Sequence, residues 1–231
     1  MTDDGLFPRN ALPPGPARTP VAFAPGAVHL PDWLDPAAQA ELLAHCRRWA
    51  TGPAGLRTVH TPGGGTMSAR QVCLGNHWYP YGYARTAVDG DGAPVKPMPA
   101  FLAALGARAL TAAHALAPED LPAHAPAHDT ALINFYGPGA RMGMHRDAEE
   151  RDPAPVVSLS LGDDCVFRFG TPQARGGPHT DLTLRSGDLV VFGGPSRLAY
   201  HGVPKVLPGT GPGSLGLTGR LNITLRVADL G

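Results

Sequence analysis

The spacing of hydrophobic residues changes part-way along the chain, from helical repeats to short alternating segments. Asp35-Pro36 marks a helix start, because Asp is a favoured N-cap and Pro fits the first helical position. We predict that this helix ends near Trp49. A second helix is predicted to begin near Pro99. Its apolar stripe, at spacings of three and four residues, contains Leu102, Leu105, Ala109, Ala113 and Leu116.

The rest of the chain has the character of strands and turns. Between residues 56 and 96, PGGG, PYG and DGDG separate short strand-like pieces, which predicts hairpins and exposed loops rather than a core. From Ala131 onward the strand-like segments are ALINFY, VVSLSL, CVFRF, LTL, DLVVF, RLAYHGV and RLNITLRV. Many short strands without intervening helices are typical of a sandwich or a barrel-like jelly roll. We therefore expect a mainly β fold of the α+β class, with helices flanking a jelly-roll core.

Composition excludes several classes of fold. Glycine and proline contribute 30 and 26 of the 231 residues, about 24% in total, which is too many helix breakers for a long coiled coil. The glycines lack the three-residue period of collagen, and a hydrophobic content of 43% argues against general disorder. The length suits one domain. Residues 1–20 contain five prolines and few large apolar side chains, so we expect a flexible tail there.

The charge is balanced overall but unevenly distributed. A formal net charge of zero and a pI near 7.2 exclude a strongly basic nucleic-acid coat. However, residues 42–88 contain five arginines and no acid, and residues 189–228 contain four basic residues and no acid. Such stretches can meet an anionic ligand locally, although chance and solvated surface explain either stretch equally well.

Cysteine usage and the absence of membrane signals bear on location. Cys46, Cys73 and Cys165 are far apart and form no CxxC pair, so neither a zinc knuckle nor a disulfide framework is indicated. Reduced thiols are typical of cytoplasmic proteins, and we expect a cytoplasmic location. The N-terminus lacks the pattern of a signal peptide, and there is no run of roughly 18 apolar residues, so we expect no membrane association. We expect a monomer, because no obvious partner helix is present.

His145 and Asp147 form the sharpest local motif. Residues two apart on an extended chain project to the same face, so an imidazole and a carboxylate could bind one ion. His201, on a predicted strand, could supply a third ligand. Two histidines and one carboxylate form the facial triad of non-haem Fe(II) oxygenases. Nevertheless, an HxD pair often arises by chance, and a lone buried histidine is more often a hydrogen-bonded core residue.

A second constellation lies in RLNITLR, at residues 220–226. As a strand, its polar face would carry Arg220, Asn222, Thr224 and Arg226. Arginines that face a β core are costly unless an anion pairs with them. A small dicarboxylate would do so through bidentate contacts. The alternative is an edge strand with its polar face in water. Asn134 and Tyr136 alternate in the same way and could add neutral hydrogen bonds.

Four ordered motifs resemble one known family. They are LINFYGPGARMGMHRD, PVVSLSLGDDCVFRFG, GDLVVFGGPSRLAYHGV and RLNITLR. Together they resemble the AlkB family of Fe(II)/2-oxoglutarate-dependent dioxygenases, most closely its bacterial members. TPGGGTMS, Cys73 and the surroundings of Trp78 resemble the family's nucleotide-recognition lid. The resemblance covers roughly residues 20–228. It implies a double-stranded β-helix (a jelly roll) in one domain, with the first helix and lid in residues 21–97 and a helix plus the catalytic core in residues 98–231.

The resemblance implies a role for each residue at a matching position. The iron ligands would be His145, Asp147 and His201. The 2-oxoglutarate contacts would be Asn134, Tyr136, Arg220, Asn222 and Arg226, with Arg220 at the distal carboxylate and Arg226 near the end that chelates iron. The substrate contacts would be Trp78, Tyr83, Glu149 and Arg175. The lid motif is longer here than in the family, so Tyr81 is the second choice for the stacking tyrosine.

The resemblance also implies a reaction. With Fe(II) bound, 2-oxoglutarate and O₂ would be converted to succinate and CO₂, while an N-alkyl group on a flipped or single-stranded base is hydroxylated and lost as an aldehyde. The implied function is direct-reversal repair of single- or double-stranded DNA alkylated at bases of the 1-methyladenine and 3-methylcytosine type. Glu149 is one methylene longer than the Asp of close relatives, so RNA or a non-nucleic-acid substrate stays an alternative. The presence of every ligand position argues against a binding module that has lost its chemistry.

Overall fold

The computed structural model describes residues 18–230, which form two α-helices and fourteen strands. The helices are α1 (Pro36–Trp49) and α2 (Ala100–His114). The strands are β1 (Val21–Ala24), β2 (Ala27–Leu30), β3 (Arg57–His60), β4 (Thr66–Leu74), β5 (His77–Tyr79), β6 (Gly82–Ala84), β7 (Thr130–Tyr136), β8 (Met142–His145), β9 (Val156–Gly162), β10 (Asp164–Phe169), β11 (Thr180–Leu184), β12 (Leu189–Phe192), β13 (His201–Leu207) and β14 (Arg220–Arg226). The predicted tail at residues 1–20 lies outside the described residues as far as position 17. Neither α-helix of residues 18–230 has the length and apolar character that a membrane span requires.

Two antiparallel sheets make up the body of the fold. The larger has the strand order β1-β2-β12-β9-β14-β7-β4-β3, and the smaller has the order β11-β10-β13-β8. Strands β5 and β6 form a separate hairpin. Strand β14 lies inside the larger sheet, paired with β7 on one side and β9 on the other. The predicted mainly β jelly roll with flanking helices is confirmed.

The alternation of β14 separates two cores. Its apolar residues, such as Ile223, pack with Leu42 of α1 and Leu102 of α2. Its polar residues face the smaller sheet, where they line a pocket together with Phe167 of β10. The alternative of a solvated edge strand is excluded, because β14 has neighbours on both sides and Arg220 is 1% exposed. The helices therefore cover the outer face of the larger sheet, and the polar face of β14 lies between the sheets.

Both predicted helices are present. The side chain of Asp35 caps α1 by accepting a hydrogen bond of 2.8 Å from the backbone N–H of Ala38. Helix α2 begins directly after Pro99 and ends at His114. The predicted apolar stripe extends too far, because Leu116 lies past the helix and is 37% exposed. An Ala-Pro step follows at once, and the residue before a proline disfavours the helical conformation.

The prediction that residues 56–96 lie outside the core is wrong for β4. This strand pairs with β7 in the larger sheet from Arg70 to Leu74. Val72 and Leu74 are 1% and 0% exposed and belong to the core beneath the helices. The surrounding glycine-rich turns suggested loops, whereas burial of β4 depends on a partner strand that is distant in sequence. The predicted hairpins are present as β3–β4 and β5–β6.

A buried carboxylate, Asp188, connects the N-terminal segment to the start of β12 within the larger sheet. Both terminal nitrogens of Arg18 donate to Asp188 at 2.7 Å, and Nε2 of His29 lies 2.9 Å from its Oδ2 atom. The backbone N–H groups of Asp32 and Arg185 also donate to it. Burial raises the pKa of Asp188, but these hydrogen bonds outweigh burial and lower the pKa to about 2.

Asp188→Asn should therefore cost about 2 kcal/mol of unfolding free energy at pH 7, because the pKa is about 2 in the folded state instead of 3.8. A lowered pKa stabilises the fold above the unfolded value, and this contribution is lost as the pH falls through 4 towards 2. Denaturant unfolding of the wild type and the variant at pH 7 and at pH 2 measures this contribution. Asp181→Asn, which breaks an exposed pair with Arg168, is the control and should cost much less. Equal losses for Asp188→Asn at pH 7 and pH 2 would contradict the assignment.

Candidate active site

His145, Asp147 and His201 converge at one end of the gap between the sheets. His145 ends β8 and His201 begins β13, and the two are register partners. Nε2 of His145 lies 3.8 Å from Oδ1 of Asp147, and Nε2 of His201 lies 3.8 Å from Oδ2. The three ligand atoms lie within 4.8 Å of one another. This donor set fits the two-histidine, one-carboxylate triad that holds Fe(II) and leaves positions open.

Hydrogen bonds behind both imidazoles leave Nε2 available to a metal. Nδ1 of His145 lies 3.0 Å from the carbonyl of Gly143, and Nδ1 of His201 lies 3.0 Å from the carbonyl of Ala199. A carbonyl only accepts, so Nδ1 donates its proton and Nε2 keeps the lone pair. Burial, with the neighbouring His145, lowers the pKa of His201 to about 4. This ring is therefore neutral at pH 7, as a metal ligand must be.

Asp147 is kept ionised by its surroundings. Burial raises its pKa, but Arg226 and the two histidines outweigh burial and lower the pKa to about 2. Nη2 of Arg226 lies 2.7 Å from Oδ1. The other oxygen, Oδ2, is buried and has no hydrogen-bond partner in residues 18–230. Buried carboxylate oxygens are rarely left unpartnered, so this atom fits a metal ligand.

Arg220 is a buried guanidinium with unused donors. It is 1% exposed, and its Nη2 donates to Oγ of Ser160 at 2.8 Å. Its Nε and Nη1 have no partner among the described residues. A buried, uncompensated charge is costly, and a carboxylate can accept two parallel bonds from such a fork. The pocket therefore fits one end of 2-oxoglutarate. Tyr136, the register partner of Arg220, lines the same pocket.

The remaining residues predicted to contact 2-oxoglutarate also line this pocket. They are Asn134, Asn222 and Arg226. Nδ2 of Asn222 donates to Oγ of Ser158 at 2.7 Å, and Oδ1 of Asn134 accepts from Nε2 of Gln71 at 3.1 Å. The structure thus brings all five predicted residues together around one pocket, and their contacts with 2-oxoglutarate stay predictions.

Arg226 belongs to an ionic network that reaches the β5–β6 hairpin. Its Nη1 lies 2.9 Å from Oε1 of Glu150, and Oε2 of Glu150 lies 3.1 Å from Arg197. The hydroxyl of Tyr83, on β6, donates to Glu150. Arg197 also donates to the carbonyl of Asp147 at 2.8 Å. Sequence reasoning missed Glu150 and Arg197. The signal that could have found them is the acid-free C-terminal stretch, whose buried arginines require acids from elsewhere.

An open cavity of about 280 Å³ adjoins His145 and Asp147 of the triad. Of the predicted substrate contacts, it is lined by Trp78, Glu149 and Arg175, and Tyr81 lines it as well. Tyr83 is not part of this lining, because its side chain reaches inward to the Glu150 network. The structure therefore places the second-choice tyrosine, Tyr81, beside Trp78 at the cavity.

Tyr81 has an unusual backbone conformation for its residue type. Pro80 and Tyr81 connect β5 to β6, and Tyr81 has a φ of 72° with 76% of its surface exposed. A residue with positive φ after proline in a turn is normally Gly or Asn. For any other residue this left-handed backbone conformation costs about 1 kcal/mol. Such strain often occurs where a side chain contacts a ligand.

The fold and the triad together define a class of protein. A family model described as the 2OG-Fe(II) oxygenase superfamily matches residues 26–226, so the chain belongs to this superfamily. The solved structure of OsALKBH1 aligns with a TM-score of 0.80 and 32% sequence identity. The alignment covers 90% of this chain and 100% of that one.

Two relatives indicate the family within this superfamily. AlkB of Escherichia coli is 40% identical over 177 residues, which are 74% of this chain and 77% of that protein. The DNA N(6)-methyladenine demethylase ALKBH1D of Arabidopsis thaliana is 32% identical over 225 residues, which are 87% of this chain. The match spans 49% of that relative, so the chain has about half its length. Within the superfamily, the chain belongs to the AlkB family, which uses Fe(II), 2-oxoglutarate and O₂.

Asp147→Ala should weaken binding of Mn²⁺, used in place of Fe²⁺, by roughly 100-fold or more, because it removes the only carboxylate of the triad. Arg226 keeps its contact with Glu150, so the variant should remain folded by circular dichroism. Calorimetric titration measures the affinity. Glu149→Ala, which changes a neighbouring acid on the open cavity, is the control and should bind the metal as the wild type does. Tight stoichiometric binding by Asp147→Ala would overturn the ligand assignment.

Proposed function

We propose that this protein is an Fe(II)- and 2-oxoglutarate-dependent dioxygenase that removes N-linked alkyl groups from nucleobases. The observation that carries the proposal is the contact between two different cavities at His145. One is the pocket between the sheets, where two donors of Arg220 have no partner among residues 18–230, and the other is open and has an aromatic rim. Bound Fe(II), together with 2-oxoglutarate and O₂, would supply the oxidation of the alkyl carbon.

The residues of the pocket bind and orient the co-substrate. Arg220 pairs with the distal carboxylate, and Tyr136 and Asn222 lie beside it. Two nitrogens of Arg226 are engaged by acids, and its Nε is the atom without a partner in the described chain. This leaves one donor for the end of 2-oxoglutarate that reaches the metal. No side chain has to act as a general base, because bound Fe(II) would supply the oxidation.

The open cavity accommodates a base that has been extruded from nucleic acid. A stacked base cannot present its alkyl group to a metal held between two sheets, so it must be flipped or single-stranded. Trp78 and Tyr81 offer aromatic faces, and stacking on such faces contributes about 1–3 kcal/mol per base. Arg146 and Arg175 are exposed at the cavity and can neutralise nearby phosphates. A neutral protein with a locally basic rim can thereby hold a nucleotide through few phosphate contacts.

The proposed substrate is DNA that carries lesions of the 1-methyladenine and 3-methylcytosine type. Alkylation at these ring nitrogens gives a cationic base with an exocyclic amino group, and the carboxylate of Glu149 lines the cavity in which it would lie. One further observation supports DNA. The name of the Arabidopsis thaliana relative, which is 32% identical over 87% of this chain, specifies DNA.

Formaldehyde release from methylated oligonucleotides tests the proposal. With Fe(II) present, single-stranded DNA carrying 1-methyladenine or 3-methylcytosine should release formaldehyde when 2-oxoglutarate is added, and should release none without it. Matched RNA and double-stranded DNA are run in parallel. Faster release from RNA would favour the RNA alternative. Turnover of 2-oxoglutarate with another substrate, and no formaldehyde from any methylated oligonucleotide, would contradict the proposal.

Tyr81→Gly should raise the KM for methylated DNA by about tenfold, because it removes a stacking face at the cavity. It should leave the melting temperature unchanged or slightly higher, because glycine adopts positive φ without strain. Steady-state kinetics and thermal unfolding measure the two effects. Tyr81→Phe keeps the ring and is the control. An unchanged KM in Tyr81→Gly would contradict the stacking role of Tyr81.

A further inference from the structure

Gln71 is a buried amide between the two cavities, and neither the triad nor the predicted co-substrate contacts include it. It lies on β4, is 2% exposed, and lines the open cavity. Its register partner on β7 is Asn134, which lines both cavities. Nε2 of Gln71 donates to Oδ1 of Asn134 at 3.1 Å. The orientation of one amide therefore depends on the orientation of the other.

Arg57 determines which way this pair of amides points. A guanidinium has donors and no acceptor, and Nη2 of Arg57 donates to Gln71 at 3.2 Å. The atom that accepts must be Oε1, which turns Nε2 of Gln71 towards Asn134. Asn134 must then accept through Oδ1. The remaining branch of Asn134, its Nδ2 amide, is then the one available to the two cavities that Asn134 lines.

Several contacts hold Arg57 in place. Its Nε donates to Asp89 at 2.7 Å, and its Nη2 also donates to the carbonyl of Trp78. Burial raises the pKa of Asp89, but hydrogen bonds from Arg57 and His77 outweigh it and lower the pKa, so this carboxylate is ionised at pH 7. Arg57 is therefore anchored at both ends of its guanidinium, and the donor at Gln71 is a permanent feature of the site.

We propose that Gln71 is a positioning residue for 2-oxoglutarate, which acts by holding Asn134 with its Nδ2 amide towards the co-substrate carboxylate. The inference rests on the proposed function, because that proposal places the carboxylate beside Asn134. A donor is the favourable group to face a carboxylate, whereas an amide oxygen in the same place would repel it. The donor of Arg57 makes Oε1 of Gln71 the acceptor, and Nε2 of Gln71 in turn makes Oδ1 of Asn134 the acceptor.

Gln71→Glu separates this role from a purely structural one. A carboxylate at position 71 can still accept from Arg57 but cannot donate to Asn134. Asn134 should then rotate, donate its own Nδ2 to the new carboxylate and present Oδ1 to the pocket. Affinity for 2-oxoglutarate should fall roughly ten- to a hundredfold. Gln71→Leu has no polar preference, so Asn134 is free to turn its donor to the ligand and affinity should fall by no more than about fivefold.

Binding is measured by calorimetric titration of 2-oxoglutarate into the Mn²⁺-loaded protein, which needs no turnover and no nucleic acid. Each variant is checked by thermal unfolding. Asn134→Ala provides the second side of a double-mutant cycle. If Gln71 acts through Asn134, then Gln71→Glu in the Asn134→Ala background should change affinity by less than about threefold.

The outcomes separate this inference from the function on which it rests. An undiminished effect of Gln71→Glu in the Asn134→Ala background would show that the new charge acts directly, and would overturn the proposal. Equal losses in Gln71→Glu and Gln71→Leu would do the same, because they would indicate a packing role. Wild-type protein that does not bind 2-oxoglutarate would refute both proposals. Wild-type protein that binds it and fails on every oligonucleotide would refute the substrate assignment alone, and the cycle would still decide the role of Gln71.

Discussion

Two buried guanidinium groups on one strand are the constraint on which the site depends. Arg220 and Arg226 face the gap between the sheets, where they are 1% and 6% exposed. A cation in such a place requires an anion. Arg226 obtains two from the chain, Asp147 and Glu150, and so holds the proposed metal ligand Asp147 in position. Arg220 contacts one serine hydroxyl and has two donors without a partner in the described structure, which fit the carboxylate of the proposed co-substrate.

The strand order β14-β7-β4 links the pocket between the sheets to the open cavity. β7 carries Asn134, and its neighbour β4 carries Gln71, so the co-substrate pocket continues across the sheet to Arg57. Arg57 in turn contacts the carbonyl of Trp78 on the β5–β6 hairpin. A second route runs from Arg226 through Glu150 to the same hairpin. The aromatic rim of the open cavity is thus tied to the buried polar layer by hydrogen bonds at two points.

Where a motif is local, sequence reasoning found it. The HxD pair and the alternation of RLNITLR place their side chains on a common face by strand geometry alone. His201, on a predicted strand, was a candidate third ligand, and the family resemblance implied the same role. Sequence reasoning failed where the burial of a residue depends on partners that are distant along the chain. β4 is core because β7 pairs with it. Glu150 stands in a run of acids that reads as solvated surface, yet its side chain is fully buried against two arginines.

The helices, the many-stranded core, the family and the three candidate ligand positions could be predicted from the chain alone, because each depends on short-range spacing or on ordered motifs. The tertiary structure decided how the polar groups pair. It leaves two donors of Arg220 without a partner in the described residues, pairs Arg226 with Asp147 and Glu150, and places Tyr81 rather than Tyr83 at the open cavity. The physical reason is that hydrogen-bond and ion-pair partners are selected by distance in space, and here they come from strands that lie far apart along the chain.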